Sequence, residues 1–284
     1  MADDRPGTVG VCPIHRYAYR AAVGRPATRR RFEYAKGAFF TADFRSLTSA
    51  WVLGMSVGCS RVLERAGGSV VRLYLSSFRI GDHPEHLVAL AGGDNRRRVV
   101  VANAMDDAPP DVRHAGVERE LAALAELGLG ATELDLRDYF GQQQRLRQDL
   151  AGISMAWLRG GNTFMLRYAL DRSGADAVFR ELLAADAMVY AGYSAGACVL
   201  SPSLRGLELV DDAYAVTRAY GSPPVWDGLG LLREAFVPHY RSPGHPETAA
   251  IEEVVTRYRA EGVAYRTLHD GQALLVNGPD AKIV

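Results

Sequence analysis

From residue 68 onward, short apolar runs alternate with segments whose apolar residues recur at helical spacing. The runs VVRLYLSS at 70–77 and RVVVANAM at 98–105 have the length of single strands. Nearly continuous apolar runs of this length are typical of strands that are covered on both faces. Three further strands are predicted within ATELDL at 131–136, SMAWLRG at 154–160 and DAMVYAG at 186–192.

The segments between these strands predict amphipathic helices. One spans 111–128, where apolar residues recur three and four positions apart and Gly128 is placed to end the helix. Others are predicted at 142–150, 163–183 and 246–262. Alternation of this kind predicts an α/β fold, a mostly parallel, doubly wound sheet with helices on both faces. In such a sheet the ligand site lies at the carboxyl ends of the strands.

Residues 1–67 show no clear helical or strand period and contain eleven Lys and Arg against five Asp and Glu. Their net charge of +6 (11 − 5) is balanced by −6 over the rest of the chain, which carries 22 basic and 28 acidic side chains. We expect 1–67 to be a basic N-terminal extension with little stable structure of its own, and 68–284 to form one folded domain. The alternative is that translation starts at Met55.

The whole chain of 284 residues is 48% hydrophobic and 23% charged, and its formal net charge is zero. This is the composition of a folded globular protein, and the balanced charge predicts neither a nucleic-acid partner nor an anionic membrane. Cys12, Cys59 and Cys198 are odd in number and lack metal-ligand spacing, so we predict no disulfide framework, no metal and no cofactor. Without a signal peptide or spanning segment near the start, we expect a cytoplasmic protein. The oligomeric state stays open, a homodimer included.

The sequence GYSAG at 192–196 matches the G-x-S-x-G pattern of nucleophile elbows, in which a serine lies on a sharp turn between a strand and a helix. The strand predicted before it and the small residues after it favour this interpretation. Ser194 is therefore a candidate nucleophile, which needs a base to take its proton and donors for the oxyanion. The alternative is that the small residues only allow a helix to pack close to the strand.

His239 is the candidate base, because AFVPHY at 235–240 predicts a short strand that ends at the same edge of the sheet. His245 and His269 lie in predicted loops and are second choices, and the alternative for His239 is a half-buried histidine bonded to backbone. A carboxylate should orient the imidazole. The sequence between serine and histidine does not choose among Glu208, Asp211, Asp212, Asp227 and Glu234.

The stretch RGGNTF at 159–164 is predicted to leave one strand and enter a helix. Gly160 or Gly161, together with the backbone N–H of Ala195, could donate hydrogen bonds to an oxyanion, because the first N–H groups of a helix are free. The alternative is an ordinary turn in which Asn162 or the threonine after it caps the helix.

Four motifs in this order resemble the peptidase E family of serine dipeptidases, which includes the cyanophycinases. They are GGNTFML at 160–166, GYSAGA at 192–197, SPSLRG at 201–206 and VPHY at 237–240. The resemblance implies a fold like that of class I glutamine amidotransferases, a flavodoxin-like three-layer sandwich. It also implies hydrolysis of dipeptides or other short peptides through a Ser-His-acid triad.

Transferred residue by residue, the resemblance assigns the nucleophile to Ser194, the histidine to His239, and the oxyanion and substrate loop to Gly160, Gly161 and Asn162. The position of the family's catalytic aspartate falls on Leu209 in this sequence. We therefore take the nearest carboxylate, Glu208, as the third member, with Asp211 and Asp212 as alternatives.

One departure concerns the substrate. The family selects an N-terminal aspartate with an arginine in a pattern like GHKGETR, whereas GHPETAA at 244–250 is one residue shorter and has Ala249 in that place. Aspartate specificity is therefore not implied, and Arg159 or Arg241 is an alternative source of charge. The competing functions are an α/β-hydrolase-type esterase, a cyanophycinase-like hydrolase, and an inactive family member that binds a peptide or an amino acid.

Overall fold

The computed structural model describes residues 71–93 and 96–284, so the predicted extension at 1–67 lies outside the described residues. Within that part, the strands are β1 Arg72–Ser76, β2 Arg97–Val101, β3 Thr132–Glu133, β4 Ile153–Leu158, β5 Val189–Tyr193, β6 Ala235–Val237, β7 Tyr265–Thr267, β8 Ala273–Asn277 and β9 Asp280–Ile283. Seven of them form one sheet in the order β3-β2-β4-β5-β1-β8-β9. Neighbouring strands from β3 to β1 pair in parallel, and β8 and β9 add an antiparallel edge.

The helices that connect these strands are α1 Pro84–Ala91, α2 Pro110–Glu126, α3 Gln143–Asp149, α4 Thr163–Ser173, α5 Ala175–Ala184, α6 Ala195–Cys198, α7 Ala215–Tyr220 and α8 Thr248–Glu261. In the described residues none of them has the length and apolarity that crossing a bilayer requires. The predicted class, a mostly parallel α/β sheet with helices, is confirmed.

Both faces of the sheet are buried, which explains the continuous apolar runs of its strands. Leu73 and Leu75 of β1 pack in one apolar cluster with Phe164 of α4 and Phe179 of α5. Tyr74, between them in sequence, packs on the opposite face with residues of α1 and α2. Successive side chains of a strand point to opposite faces. All three β1 side chains are fully buried because both faces of the sheet are covered.

Some predicted elements differ in extent or place. The helix predicted at 163–183 is divided into α4 and α5 at Gly174, whose φ of +74° is the left-handed conformation that ends a helix. Of the strand predicted at 131–136, only β3 joins the sheet. The strand predicted in AFVPHY forms as β6, but it pairs with β7 in a separate two-stranded sheet and not with the large one.

Candidate active site

Ser194 lies on a strained turn between β5 and α6. Its φ of +49° and ψ of −117° are unusual for a residue with a side chain. Ser194 is partly exposed, whereas the residues of β5 before it and of α6 after it are buried. The flanking glycines allow this turn to pack on β4, because a Cβ on Gly192 would lie 2.5 Å from the carbonyl oxygen of Leu158 and one on Gly196 would overlap the same atom. The geometry is that of a nucleophile elbow.

The loop after β4 lies directly beside this serine. A Cβ on Gly160 would lie 2.7 Å from Cε2 of Tyr193 and 3.1 Å from Cβ of Ser194. Gly161 has a φ of +144°, and a Cβ there would lie 2.5 Å from the carbonyl oxygen of Ala104. Glycine is therefore required at both positions, and the backbone of this loop approaches the serine as an oxyanion site needs.

Asn162 is the N-cap of α4, and Ala195 is the first residue of α6. The Oδ1 atom of Asn162 accepts hydrogen bonds from the N–H groups of Phe164 at 2.9 Å and Met165 at 3.2 Å, and its Nδ2 donates to the carbonyl of Asp212 at 2.9 Å. The side chain of Asn162 is thus used as the cap of α4, and its backbone N–H donates to the carbonyl of Ala104 at 2.8 Å, so neither group is left to bind an oxyanion. Ala195 is the buried first residue of α6.

His239 follows β6 and forms a hydrogen-bonded pair with an aspartate. Its Nδ1 atom lies 2.7 Å from Oδ1 of Asp270, which follows β7, and only 2% of the histidine is exposed. A carboxylate in this position fixes the ring with a proton on Nδ1 and leaves Nε2 to accept one. Burial lowers the pKa of His239, as does the nearby His245, while the hydrogen bond to Asp270 opposes the shift. The histidine is therefore held mainly neutral, the form that acts as a base.

The end of β1 brings the serine and the histidine together. The N–H of Ser194 donates to the carbonyl of Ser76 at 3.4 Å. The hydroxyl of the next residue, Ser77, accepts from the N–H of His239 and donates to Oδ1 of Asp270, each at 2.8 Å. Two consecutive residues of one strand end thus hold the elbow and the histidine–aspartate pair.

The family of the chain follows from a sequence match over most of its length. The sequence profile of peptidase family S51 matches residues 82–284, which contain the elbow, the glycine loop, the histidine and Asp270. The chain belongs to peptidase family S51. Membership supports a peptidase of the serine type.

The S51 chain is similar to several bacterial proteins. It is 30% identical over 166 residues to the uncharacterized peptidase Lmo0363 of Listeria monocytogenes, covering 58% of this chain and 75% of that protein. It is 28% identical over 164 residues to the uncharacterized peptidase PM1590 of Pasteurella multocida, covering 57% and 73% of the two chains.

Two crystal structures share its fold. A candidate peptidase E from Listeria monocytogenes EGD-e superposes with a TM-score of 0.61 at 24% identity, over 76% of this chain and 98% of that chain. A peptidase from an acI-B1 Actinobacterium gives a TM-score of 0.55 at 14% identity, over 76% and 88% of the two chains. At these identities the likeness concerns the fold alone.

The S51 structure does not bring Glu208 to the histidine, contrary to the sequence prediction. The Glu208 carboxylate accepts hydrogen bonds from Arg257 and from the N–H of Gly206, both at 2.6 Å. A carboxylate already neutralised in this way, on a different segment, cannot orient His239. The carboxylate that does contact the histidine, Asp270, lies after it in the sequence.

The two alternative acids also have other partners. Asp211 accepts from the N–H of Thr163 at 2.9 Å, at the start of α4, and burial raises its pKa to about 6. Asp212 accepts from the N–H of Tyr214 at 2.9 Å and pairs with Arg218 at 2.6 Å.

The second-choice histidines take different places. His245 stacks on His239, with ring centroids 3.8 Å apart and planes 5° from parallel. His269 contacts Tyr240 instead, with a centroid distance of 6.3 Å. The Phe78 ring is roughly perpendicular to both stacked imidazoles, with its centroid 5.9 Å from that of His239 and 5.7 Å from that of His245.

A metal ion fits this cluster poorly. His239, His245 and Glu247 offer ligand atoms within 4.8 Å of one another. The nearly parallel rings, however, direct their nitrogen lone pairs side by side and not to a common point, whereas zinc requires convergent ligands. Nδ1 of His239 is also occupied by Asp270. The arrangement is suited to proton transfer and not to metal coordination.

Asp270, Ser77 and Phe78 are the residues that sequence analysis missed. Ser77 and Phe78 follow β1 directly, so the rule that ligands bind at the carboxyl ends of parallel strands points to them. Asp270 lies in LHDG, an Asp-Gly turn after the short run YRT. The turn is visible in the sequence, but it lies after the histidine and not between the serine and the histidine, where the acid was predicted.

Proposed function

We propose that this S51 peptidase hydrolyses dipeptides or other short peptides through a triad of Ser194, His239 and Asp270. The observation that carries the proposal is the 2.7 Å hydrogen bond between His239 Nδ1 and Asp270 Oδ1, in a pair that Ser76 and Ser77 connect to the serine elbow. The order of the triad along the chain is then serine, histidine and aspartate.

The reaction follows from the roles of these groups. Nε2 of His239 takes the proton of the Ser194 hydroxyl as its oxygen attacks the scissile carbonyl. Backbone N–H groups of Gly160 or Gly161 and of Ala195 stabilise the oxyanion. The imidazolium then gives its proton to the leaving amine as the C–N bond breaks. Water, deprotonated by the same histidine, hydrolyses the acyl-enzyme and restores the serine.

The N-terminal residue of the substrate is not expected to be aspartate. Ala249 takes the place of the family's arginine, and the two alternative cations have partners of their own. Arg159 is 8% exposed, and its Nε lies 3.6 Å from a carboxylate oxygen of Glu120. Arg241 lies 3.8 Å from Glu252. We propose that Asp-X dipeptides are cleaved no more than about tenfold better than Asn-X or Ala-X dipeptides, since one buried charge-assisted hydrogen bond discriminates by at least that factor.

The test combines a fluorophosphonate probe, which labels activated serines, with a dipeptide library read by mass spectrometry. The parent should be labelled at Ser194 and should cleave dipeptides, and Ser194→Ala should lose both properties, with kcat lower by on the order of a millionfold. Ser222→Ala, whose hydroxyl contacts Tyr168 away from the elbow, should retain both. Labelling with hydrolysis of esters but of no peptide would favour the esterase alternative, and neither labelling nor hydrolysis would indicate an inactive binder.

A further inference from the structure

A cleft of about 500 Å³ adjoins the aspartate of the proposed triad. It lies between the loop after β1, helix α2 and the turn after β7. Its lining residues are Phe78, Arg79, Ile80, Gly81, Asp82, Arg119, Glu120, Ala123, Asp270 and Gly271. The proposed reaction, as described above, leaves this cleft without a role.

Phe78 links the cleft to the reacting groups. Its ring centroid lies 5.9 Å from that of His239 and 6.3 Å from that of Tyr193, the residue just before the nucleophile. The residue is 38% exposed, which leaves part of a large apolar ring facing solvent beside the histidine. Together with Ile80 and Ala123, Phe78 gives the cleft an apolar wall on which a side chain can pack.

The charged side chains that line the cleft differ in whether they already have hydrogen-bond partners. Two of its acids, Glu120 and Asp270, have such partners. Glu120 accepts from Trp157 at 2.9 Å and from Tyr193 at 2.8 Å, and Asp270 accepts from His239 and from a serine.

The two arginines of the cleft, in contrast, have no carboxylate partner among the described residues. Arg79 and Arg119 are exposed, and within 71–93 and 96–284 neither forms an ion pair with a carboxylate. The Arg79 guanidinium lies 5.2 Å from the Phe78 ring centroid, so it is held at the apolar wall. Of the three carboxylates that line the cleft, Glu120 faces Arg159 at 3.6 Å and Asp270 binds the histidine, whereas the two arginines still have guanidinium N–H donors to offer an anion. The cleft is therefore suited to a group that is apolar on one side and anionic on the other.

The position of the cleft relative to the serine indicates which residue of a peptide the cleft would bind. The histidine of a serine hydrolase gives its proton to the leaving amine, so the leaving residue must lie on the histidine side of the nucleophile. Phe78, whose ring lies near both His239 and the residue just before the nucleophile, places the cleft on that side. In a dipeptide the leaving residue carries a free carboxylate, which guanidinium groups bind with strong, charge-assisted hydrogen bonds.

We infer that this cleft is the subsite for the C-terminal residue of a dipeptide, with Phe78 packing on its side chain and Arg79 and Arg119 binding its carboxylate. The inference rests on the proposed peptidase function. It makes the enzyme a dipeptidase by recognition of the free C-terminus, because a longer peptide or an amide lacks a carboxylate at this distance from the scissile bond.

The test compares the best dipeptide of the library with its C-terminal amide. The parent should prefer the free acid by about ten- to a hundredfold in kcat/KM. Arg119→Gln and Arg79→Gln, singly and together, should raise KM for the free acid and leave kcat/KM for the amide unchanged, so that the preference falls to about threefold or less in the double variant. Phe78→Ala should reduce the preference for leucine over glycine as the C-terminal residue.

The matched control is Arg241→Gln, which removes a charge two residues after the histidine from an arginine that faces Glu252. It should leave the preference for the free acid unchanged, which separates specific binding from a general electrostatic effect. Equal hydrolysis of acid and amide by the parent would overturn the subsite while leaving the peptidase function standing. A preference that survives in the double variant would overturn it too. A parent that cleaves no peptide refutes the proposed function and the subsite together.

Discussion

Replacing Asp270 with asparagine tests which carboxylate serves the histidine. In the structure Oδ1 of Asp270 accepts hydrogen bonds from His239 at 2.7 Å and from Ser77 at 2.8 Å. The carboxylate favoured by sequence, Glu208, is held instead by Arg257 and a backbone N–H. The paired variants Asp270→Asn and Glu208→Gln each remove one negative charge with almost no change of shape, so their comparison isolates the electrostatic partner of the histidine.

The structure predicts very different losses of kcat for the two variants. In Asp270→Asn the amide can no longer stabilise the imidazolium and can present an N–H₂ group to Nδ1, which favours the wrong tautomer. Loss of this function in a serine triad lowers kcat by about 10⁴-fold. The ion pair of Glu208 with Arg257 is partly solvated, with side chains 29% and 35% exposed. Such a pair stabilises the fold by about 0 to 1 kcal/mol, and kcat of Glu208→Gln should stay within about threefold of the parent.

The assay is steady-state hydrolysis of the best library dipeptide, with thermal unfolding measured on the same samples. Asp270→Asn should lose activity while its melting temperature stays within a few degrees of the parent, because asparagine keeps the shape of the side chain and can still hydrogen-bond with the Ser77 hydroxyl as donor or acceptor. If Glu208→Gln lost activity to that extent while Asp270→Asn remained within tenfold of the parent, the assignment of Asp270 and the order of the triad would both be wrong.

Three further predictions follow from the same geometry. Ser77→Ala leaves the buried N–H of His239 without its acceptor, so the free energy of unfolding in urea should fall by about 1 to 3 kcal/mol and kcat should fall with it. Gly160→Ala, whose Cβ would lie 2.7 Å from the Tyr193 ring, should displace the oxyanion loop and lower kcat by about 10²-fold at similar KM. Because burial lowers the pKa of His239 below its usual 6.5 and only the neutral ring is a base, kcat/KM should decline with falling pH through a midpoint below 6.5.

Each of these predictions has its own control. Ser154→Ala removes another buried hydroxyl, one bonded to the carbonyl of Arg97 at the far end of β4, and should lower stability without changing kcat. Gly130→Ala, with open space around the added Cβ, should leave kcat unchanged. A kcat loss equal to that of Gly160→Ala would show that the effect is not local. An acid limb centred above pH 6.5 would contradict the environment described for His239.

The local sequence pattern was sufficient to predict the strands around the elbow and the elbow itself. The runs that became β1, β4 and β5 are apolar because both sheet faces are buried, and the glycines around Ser194 are required by the close approach of β4. The apolar runs reflect burial alone, and the G-x-S-x-G pattern is contained in five consecutive residues, so both are visible without knowledge of which distant segments meet. Sequence therefore predicted the nucleophile elbow and the glycine loop beside it.

The acid could not be found in the same way, because its position depends on pairing between distant segments. Asp270 reaches His239 since β7 pairs with β6 in register, Val237 opposite Thr267, which carries the two following turns to the same place. No periodic pattern in the sequence indicates how β6 and β7 pair. A carboxylate near the expected chain position, Glu208, was favoured instead, although its partner Arg257 lies 49 residues away on α8 and was equally invisible to local pattern.

Two consecutive residues at the end of β1 hold the strained backbone of the site. Ser194 has a φ of +49° and His239 a φ of +59°, and each such conformation in a residue with a side chain costs about 1 to 3 kcal/mol. Neither would persist without contacts that fix it. The carbonyl of Ser76 holds the first residue and the hydroxyl of Ser77 the second, and the same hydroxyl also binds Asp270. Because consecutive residues of a strand are about 3.3 Å apart, this arrangement fixes the nucleophile relative to the base before any substrate arrives.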